Sequence, residues 1–285
     1  MNASYGFHLN NYSKEIKKDL VDSNCKLYQC FIEEYNDLIL YQPELKPIIH
    51  CSFYINLSSP NLKYTYYQLQ KEIRFCLKHN IKYYVLHIGK CGKKLKLPKS
   101  DCINNMLKVL KKICLKMKLF KKNNFNLCLE LLAGDNNDIL YTIEDLNKTL
   151  FTDKHFYFKN LKICLDTCHL FASGVHLETI ENIDEYLNNI DKTIGLNKIE
   201  VIHLNNSVFP FDSKKDQHAD FDKGTIPLES MIYLFNLFTK HNKNIIIELK
   251  DYKHNLSILK NEIKEIYICC SGFFDFYFVC GICIK

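Results

Sequence analysis

Residues that interrupt regular structure are scarce in this chain: six prolines and nine glycines among 285 positions. That leaves little material for a flexible linker, and no shift in composition or short internal repeat divides the sequence. The first twenty residues, MNASYGFHLNNYSKEIKKDL, lack the apolar run of a secretory signal. Fourteen cysteines without such a signal argue for free thiols in a reducing compartment. An intracellular setting is therefore expected: cytoplasm or nucleus, or host cytoplasm or virion for a viral chain. A large excess of one charge is missing too. The net charge of +6 permits a nucleic-acid partner but does not demand one.

What is present is apolar material, 47% of the chain, enough for a sizeable core and too much for disorder. Eight short apolar runs recur: SYGFHL (4–9), KLYQCFI (26–32), PIIHCSF (47–53), KYYVLHI (82–88), FNLCLEL (125–131), LKICLD (161–166), IEVIHL (199–204) and NIIIEL (244–249). Continuous apolar runs suit parallel strands buried on both faces. Between them, YYQLQKEIRFCLKHN and CINNMLKVLKKICLKMKLFKK space apolar residues three and four apart, as helices do. Eight strands alternating with helices predict a (β/α)₈ barrel, with a doubly wound open sheet as the rival.

Six of these strands end on or near a His, Asp or Glu: His50, His87, Glu130, Asp166, His203 and Glu248. In a barrel such residues meet at the C-terminal rim, where active sites are built. Six ionisable groups converging there would repel or desolvate one another unless a cation sat among them. Imidazoles and carboxylates together suit zinc or a similar divalent ion. In LKICLDTCHLFASG, His169 follows Asp166 by three residues and can face the same rim. Cys164, two before Asp166, shares its side of the strand but lies deeper, and reads as packing, as does Cys168. In the loop after the seventh strand, KKDQH holds Asp216 and His218. With His169 they form a further three-ligand set. His79, His155, His241 and His254 read as surface residues and His8 as packed, with a hydrogen bond to one of the rim residues as the alternative. The loop GKCGKKLKLPK (89–99) carries five lysines just past His87; Lys90, Lys93 and Lys94 are candidate contacts to nucleic-acid phosphates. The lysines of 108–122 read as a solvated helix face.

From about residue 5 to 267 the sequence resembles the endonuclease IV family of apurinic/apyrimidinic endonucleases. The resemblance rests on CLDTCHLFASG and VIHLNNS…KKDQH, with HCSFYINLSSP, LHIG and LELLAG in order. It implies a xylose-isomerase-like TIM barrel with three zinc ions, manganese being possible at one site. The ligands it implies are His50, His87 and Glu130; Glu130 with Asp166, His203 and Glu248; and His169, Asp216 and His218. It implies cleavage 5′ to abasic sites in double-stranded DNA by a metal-activated hydroxide, leaving 3′-hydroxyl and 5′-deoxyribose phosphate ends, with 3′-end cleaning as a companion activity. Glu130 and Glu248 take the catalytic roles, and Phe53 and Tyr54 resemble the wedge that holds the duplex open. A monomer away from membranes is expected.

The sequence departs from the family pattern at Phe53, where Tyr is usual, at Asn206 and Gln217, and at Leu249-Lys250. Rival readings are a metal-dependent sugar isomerase or epimerase of the same superfamily, a UV-damage endonuclease, and a non-enzymatic DNA-binding module. The apolar, cysteine-rich tail 268–285 lies outside the resemblance and is too short and too interrupted for a membrane span.

Overall fold

The computed structural model describes residues 4–9, 19–20, 25–35, 45–92, 97–119, 124–152 and 159–271. Its centre is one eight-stranded sheet: β1 (Ser4–Phe7), β2 (Leu27–Cys30), β3 (Lys46–His50), β4 (Tyr83–His87), β5 (Asn126–Glu130), β6 (Leu161–Asp166), β7 (Ile199–His203) and β10 (Asn244–Ile247). The order β1-β10-β7-β6-β5-β4-β3-β2 is parallel throughout. A parallel bridge between His8 and Gln29, with Lys26 N donating to Tyr5 O (3.0 Å) and Leu9 N to Gln29 O (2.9 Å), brings β1 against β2. The open-sheet alternative is thereby excluded. Gly6 is needed at this seam, because a Cβ there would collide with the Leu27 carbonyl.

The helices are α1 (Ile32–Tyr35), α2 (Leu62–Lys78), α3 (Lys99–Leu119), α4 (Ile143–Leu146), α5 (Thr167–Ser173), α6 (Ile180–Thr193), α7 (Leu228–Lys240) and α8 (Tyr252–Ser271). In α2, Leu69, Ile73, Cys76 and Leu77 are buried, the three-and-four spacing of an amphipathic helix laid on a sheet. A two-stranded antiparallel ribbon, β8 (Asn206–Ser207) with β9 (His218–Ala219), stands above β7.

Inside the barrel, Leu27, Ile48, Val85, Cys128, Cys164, Val201 and Ile246 form one closed apolar layer. Side chains alternate along a strand, so the residue two positions on faces the same interior, one layer nearer the rim. Those residues are Gln29, His50, His87, Glu130, Asp166, His203 and Glu248. On β1, which gives only Gly6 to the lower layer, the matching residue is His8. An apolar plug thus carries a ring of polar side chains, one per strand.

Candidate metal centre

Three groups of N and O donors form at this rim, each with its atoms within 4.8 Å of one another: the ring supplies His50, His87 and Glu130, and Glu130, Asp166, His203 and Glu248, while His169 of α5 meets Asp216 and His218 of the segment that leads into β9. Glu130, almost wholly buried (1% exposed), belongs to two of them. Its Oε2 lies 3.2 Å from His50 Nε2 and 3.3 Å from His87 Nε2, and its Oε1 3.1 Å from His203 Nδ1. His169 Nε2 lies 3.2 Å from Asp216 Oδ2, and His218 Nε2 3.4 Å from Asp216 Oδ1. All nine expected ligand positions are brought together.

Local structure aims the donors. Asp166 caps α5, its Oδ1 accepting from His169 N at 2.9 Å; this fixes the first turn and turns Oδ2 to within 3.5 Å of His218 Nε2. Four imidazoles have their outward nitrogen hydrogen-bonded. His50 Nδ1 donates to Cys51 O (2.9 Å), His169 Nδ1 to Leu131 O (2.9 Å), His218 Nδ1 to Glu248 O (3.5 Å) and His203 Nε2 to Gln29 Oε1 (2.9 Å). Once each ring is neutral, its inward nitrogen is the one that presents a lone pair to a cation. Metal-ligating histidines are held this way. With the pure N/O donor sets, the residues fit divalent zinc.

The electrostatics say the same. Burial alone would raise the Glu130 carboxyl, but His203 and His87 outweigh it and hold it well below the usual range. Burial also opposes the Asp216 charge, yet His169 and His218 hold that group low. Burial disfavours the His218 imidazolium, but Asp166 and Asp216 push it up to about 9; Asp166 and Asp216 likewise raise His169. Imidazolium and carboxylate neutralise each other here, and a divalent cation would replace those protons.

Sulfur is close as well. Cys164 lies within 4.8 Å of donor atoms of Glu130 and His203, and Cys168 of Asp166 and His218, so distance alone admits either thiol. Burial pushes the Cys164 thiol up to about 12, and burial with Asp166 and Asp216 raises Cys168. Without a metal both thiols keep their protons, Cys164 packed in the inner layer and Cys168 with its Sγ 3.7 Å from Gln217 O.

Other residues of the site carried no clear signal in the sequence. Asn205 Nδ2 donates to Asp166 Oδ2 (2.7 Å) and Glu248 Oε2 (3.3 Å), while its Oδ1 accepts from Glu248 N (2.9 Å). Gln29 touches His203, Glu248 and His8. A lone amide within the apolar β2, in register with the ligands, was the available clue. His8 is buried, as expected of a packed residue, and its Nδ1 also lies 3.4 Å from Glu248 Oε1. Asn206 organises the loop that presents Asp216 and His218. Its Nδ2 donates to Phe221 O (2.9 Å) and Ile226 O (2.8 Å), and its Oδ1 accepts from Ser207 N and Ile226 N. The amide fills space that a Cβ on Gly224 would take.

On the rim, Phe53 and Tyr54 are 75% and 83% exposed, too open to be core aromatics. Phe53 packs 5.0 Å from Phe31 and 6.2 Å from His50, centroid to centroid, which places it beside the first donor group. Lys90 Nζ lies 3.3 Å from the buried Asp138 Oδ1 and 3.9 Å from Asp135 Oδ2, with 41% of its side chain exposed. It braces two rim loops and still presents charge outward. Lys93 and Lys94 lie outside the described residues, as do His155 and the tail from residue 272. Among the described residues, no helix is long and apolar enough to cross a membrane.

Residues 6–267 match the family model described as xylose isomerase-like TIM barrel. The "Apurinic-apyrimidinic endonuclease 1" of Plasmodium falciparum (isolate 3D7) is 29% identical over 277 residues, 93% of this chain and 42% of that protein. A "Probable endonuclease 4" of Sulfurihydrogenibium sp. (strain YO3AOP1) is 30% identical over 224 residues, 76% of this chain and 77% of that one. The chain thus spans less than half the length of the Plasmodium relative. Among solved structures, endonuclease IV from Thermus thermophilus superposes with a TM-score of 0.72 at 22% identity, covering 92% of this chain and 99% of that chain.

Proposed function

The chain belongs to the endonuclease IV family of xylose isomerase-like TIM barrels, and from that premise we propose that it is a zinc-dependent DNA repair endonuclease. Its reaction is hydrolysis of the phosphodiester bond 5′ to abasic sites in double-stranded DNA. The products are a 3′-hydroxyl and a 5′-deoxyribose phosphate, with trimming of blocked 3′ ends as a second use of the same site. The observation that carries this reading is the set of nine N and O donors in three groups around Glu130. A sugar isomerase of the same barrel needs only the quartet Glu130, Asp166, His203 and Glu248; His50, His169, Asp216 and His218 would then have no task.

Three zinc ions, or manganese in place of one, would be held by those groups; bound there, they supply positive charge to a phosphate and acidify water. The chain's own residues do the rest. Glu130 joins the first two groups, so one carboxylate sets their relative position. Glu248, tied to Gln29, Asn205 and His203, is placed to orient a water at the phosphate. His169, Asp216 and His218 stand at the open side, where a leaving oxygen would need neutralising. An abasic sugar has to leave the helix to reach a buried rim, and the exposed Phe53 and Tyr54 are suited to fill the gap. Lys90, and by sequence Lys93 and Lys94, are the proposed phosphate contacts. The protein is proposed to act as a monomer.

Incubating purified protein with a duplex containing one abasic site, with and without chelator, tests the proposal. Cleavage 5′ to the lesion, abolished by chelator and restored by zinc, with about three zinc ions per chain, is the expected result. Metal-replete protein that leaves the duplex intact, or elemental analysis finding one metal or fewer in protein never exposed to chelator, would overturn it.

A further inference from the structure

We infer that Gln29 is a positioning residue that selects the metal-binding form of two ligands of the middle group, His203 and Glu248. The inference rests on the metal reading above and adds a residue to it. Three of the four anchored imidazoles find their outer partner in a backbone carbonyl: Cys51 O for His50, Leu131 O for His169 and Glu248 O for His218. Such carbonyls come with the fold. His203 instead depends on a side chain, the Gln29 Oε1 at 2.9 Å.

The amide has one sensible orientation. Its Nε2 lies 2.7 Å from Glu248 Oε1, which as a carboxylate only accepts, so the nitrogen must point there and the oxygen at His203. A carbonyl-type oxygen facing His203 Nε2 requires that nitrogen to carry the proton. In the neutral ring that a cation needs, the lone pair is then confined to Nδ1, the nitrogen that faces Glu130 Oε1 and Glu248 Oε2, each at 3.1 Å. Meanwhile the Gln29 N–H occupies Glu248 Oε1, so a cation is directed to Oε2, which accepts from Asn205 Nδ2 at 3.3 Å and has a second lone pair. The second Gln29 N–H points at His8 Nδ1, 2.8 Å away. One oxygen and both amide hydrogens are therefore used, in a residue that is fully buried. A buried amide so completely committed cannot turn over without stranding several groups.

Position in the fold argues likewise. Gln29 sits on β2 two residues past Leu27 of the apolar layer, at the level of the ligands themselves. β2 and β1 provide none of the nine donors, and what they place at that level is Gln29 and His8. These two strands act as the wall that orients ligands arriving from β7 and β10.

The test uses the full chain, comparing wild type with Gln29→Leu, which keeps the volume but loses every hydrogen bond. Zinc affinity is resolved by competition with a chromophoric chelator, and unfolding of the zinc-free form controls for misfolding. Wild type should hold about three zinc ions. In Gln29→Leu one of the three should weaken by roughly 10–100-fold, the cost expected for an outer-shell partner, while the other two are unchanged. The ring ¹⁵N signals of His203 should show a protonated Nε2 in zinc-loaded wild type and lose that definition in the variant. If Gln29→Leu does not fold, Gln29→Glu carries the test: its carboxylate keeps an oxygen for His203 but opposes Glu248, and the same single-site loss is expected. Three ions held as tightly in the variant as in wild type, or all three weakened together, would overturn the inference alone. Wild type that holds no zinc would overturn the metal reading and this inference with it.

Discussion

Cys168 and His169 are neighbours on α5, and replacing them one at a time separates sulfur from nitrogen ligation. Cys168 is fully buried, with its Sγ 3.7 Å from Gln217 O. In Cys168→Ser the shorter hydroxyl reaches that carbonyl less well, and an incompletely paired buried hydroxyl costs on the order of 1–2 kcal/mol of stability. Cys164→Ala removes one sulfur from the inner layer and leaves a small cavity, again on the order of 1–2 kcal/mol. Neither change touches an N or O donor, so zinc content should stay at about three. His169→Ala is different in kind. It removes one of three donors from its group, so zinc there should weaken by more than the roughly 10–100-fold that outer partners cost. That corresponds to more than about 1.4–2.8 kcal/mol at 1.4 kcal/mol per decade. Bound zinc after gel filtration, cleavage of a duplex with one abasic site and chemical denaturation, measured for all three variants, give the readout. Cys168→Ser protein that has lost one zinc, beside His169→Ala protein that keeps all three, would refute the reasoning and assign the metal to sulfur.

Phe53→Ala combined with Tyr54→Ala should leave stability within about 0.5 kcal/mol, since both rings are exposed. Cleavage of abasic duplex should fall by what stacking is worth, about 1–3 kcal/mol per base; unchanged cleavage would mean another loop holds the helix open. Asn206→Asp replaces an amide that donates to two carbonyls, Phe221 O and Ile226 O, with a group that cannot donate. A loss of about 1–3 kcal/mol for each stranded partner is expected, and denaturant midpoints equal to wild type would contradict it. For His218, burial is outweighed by Asp166 and Asp216, raising it from 6.5 to about 9 in the metal-free fold. A raised value stabilises the metal-free protein fully below pH 6.5 and fades as pH climbs through about 9. Zinc needs the neutral ring, so affinity at the third group should rise across that same window; competition titrations showing a flat profile would count against this.

The barrel and the ligands could be read from one regularity: six of the eight buried strands end on or near a residue able to bind a cation, about one β/α unit apart. The apolar layer beneath explains why the rule works, because a closed interior forces every strand to the same alternation. Gln29 obeyed that alternation but was overlooked, since an amide carries no charge and draws no attention in LYQC. The role of Asn206 was also illegible. It depends on carbonyls of Phe221 and Ile226, brought near only by the fold above β7. Whether Phe53 and Tyr54 were core or surface could not be decided from an aromatic pair in a short run. Their exposure follows from lying beyond β3, past the last residue the barrel encloses. Lys90 stood out as a charge, yet its pairing with Asp138 links segments that are 48 positions apart (138 − 90).

The distribution of the donors has a consequence for how such a chain is made. The first group spans positions 50 to 130, the third 169 to 218, and the middle one 130 to 248. During vectorial synthesis the early units emerge and collapse first, but the middle group cannot exist until the segment beyond β10 has left the ribosome. Loading of that position is therefore a late event, coupled to closure of the last strand between β1 and β7. A prematurely terminated chain ending before Glu248 could not form the complete quartet, and the ion would act as a clasp that only a finished barrel can fasten.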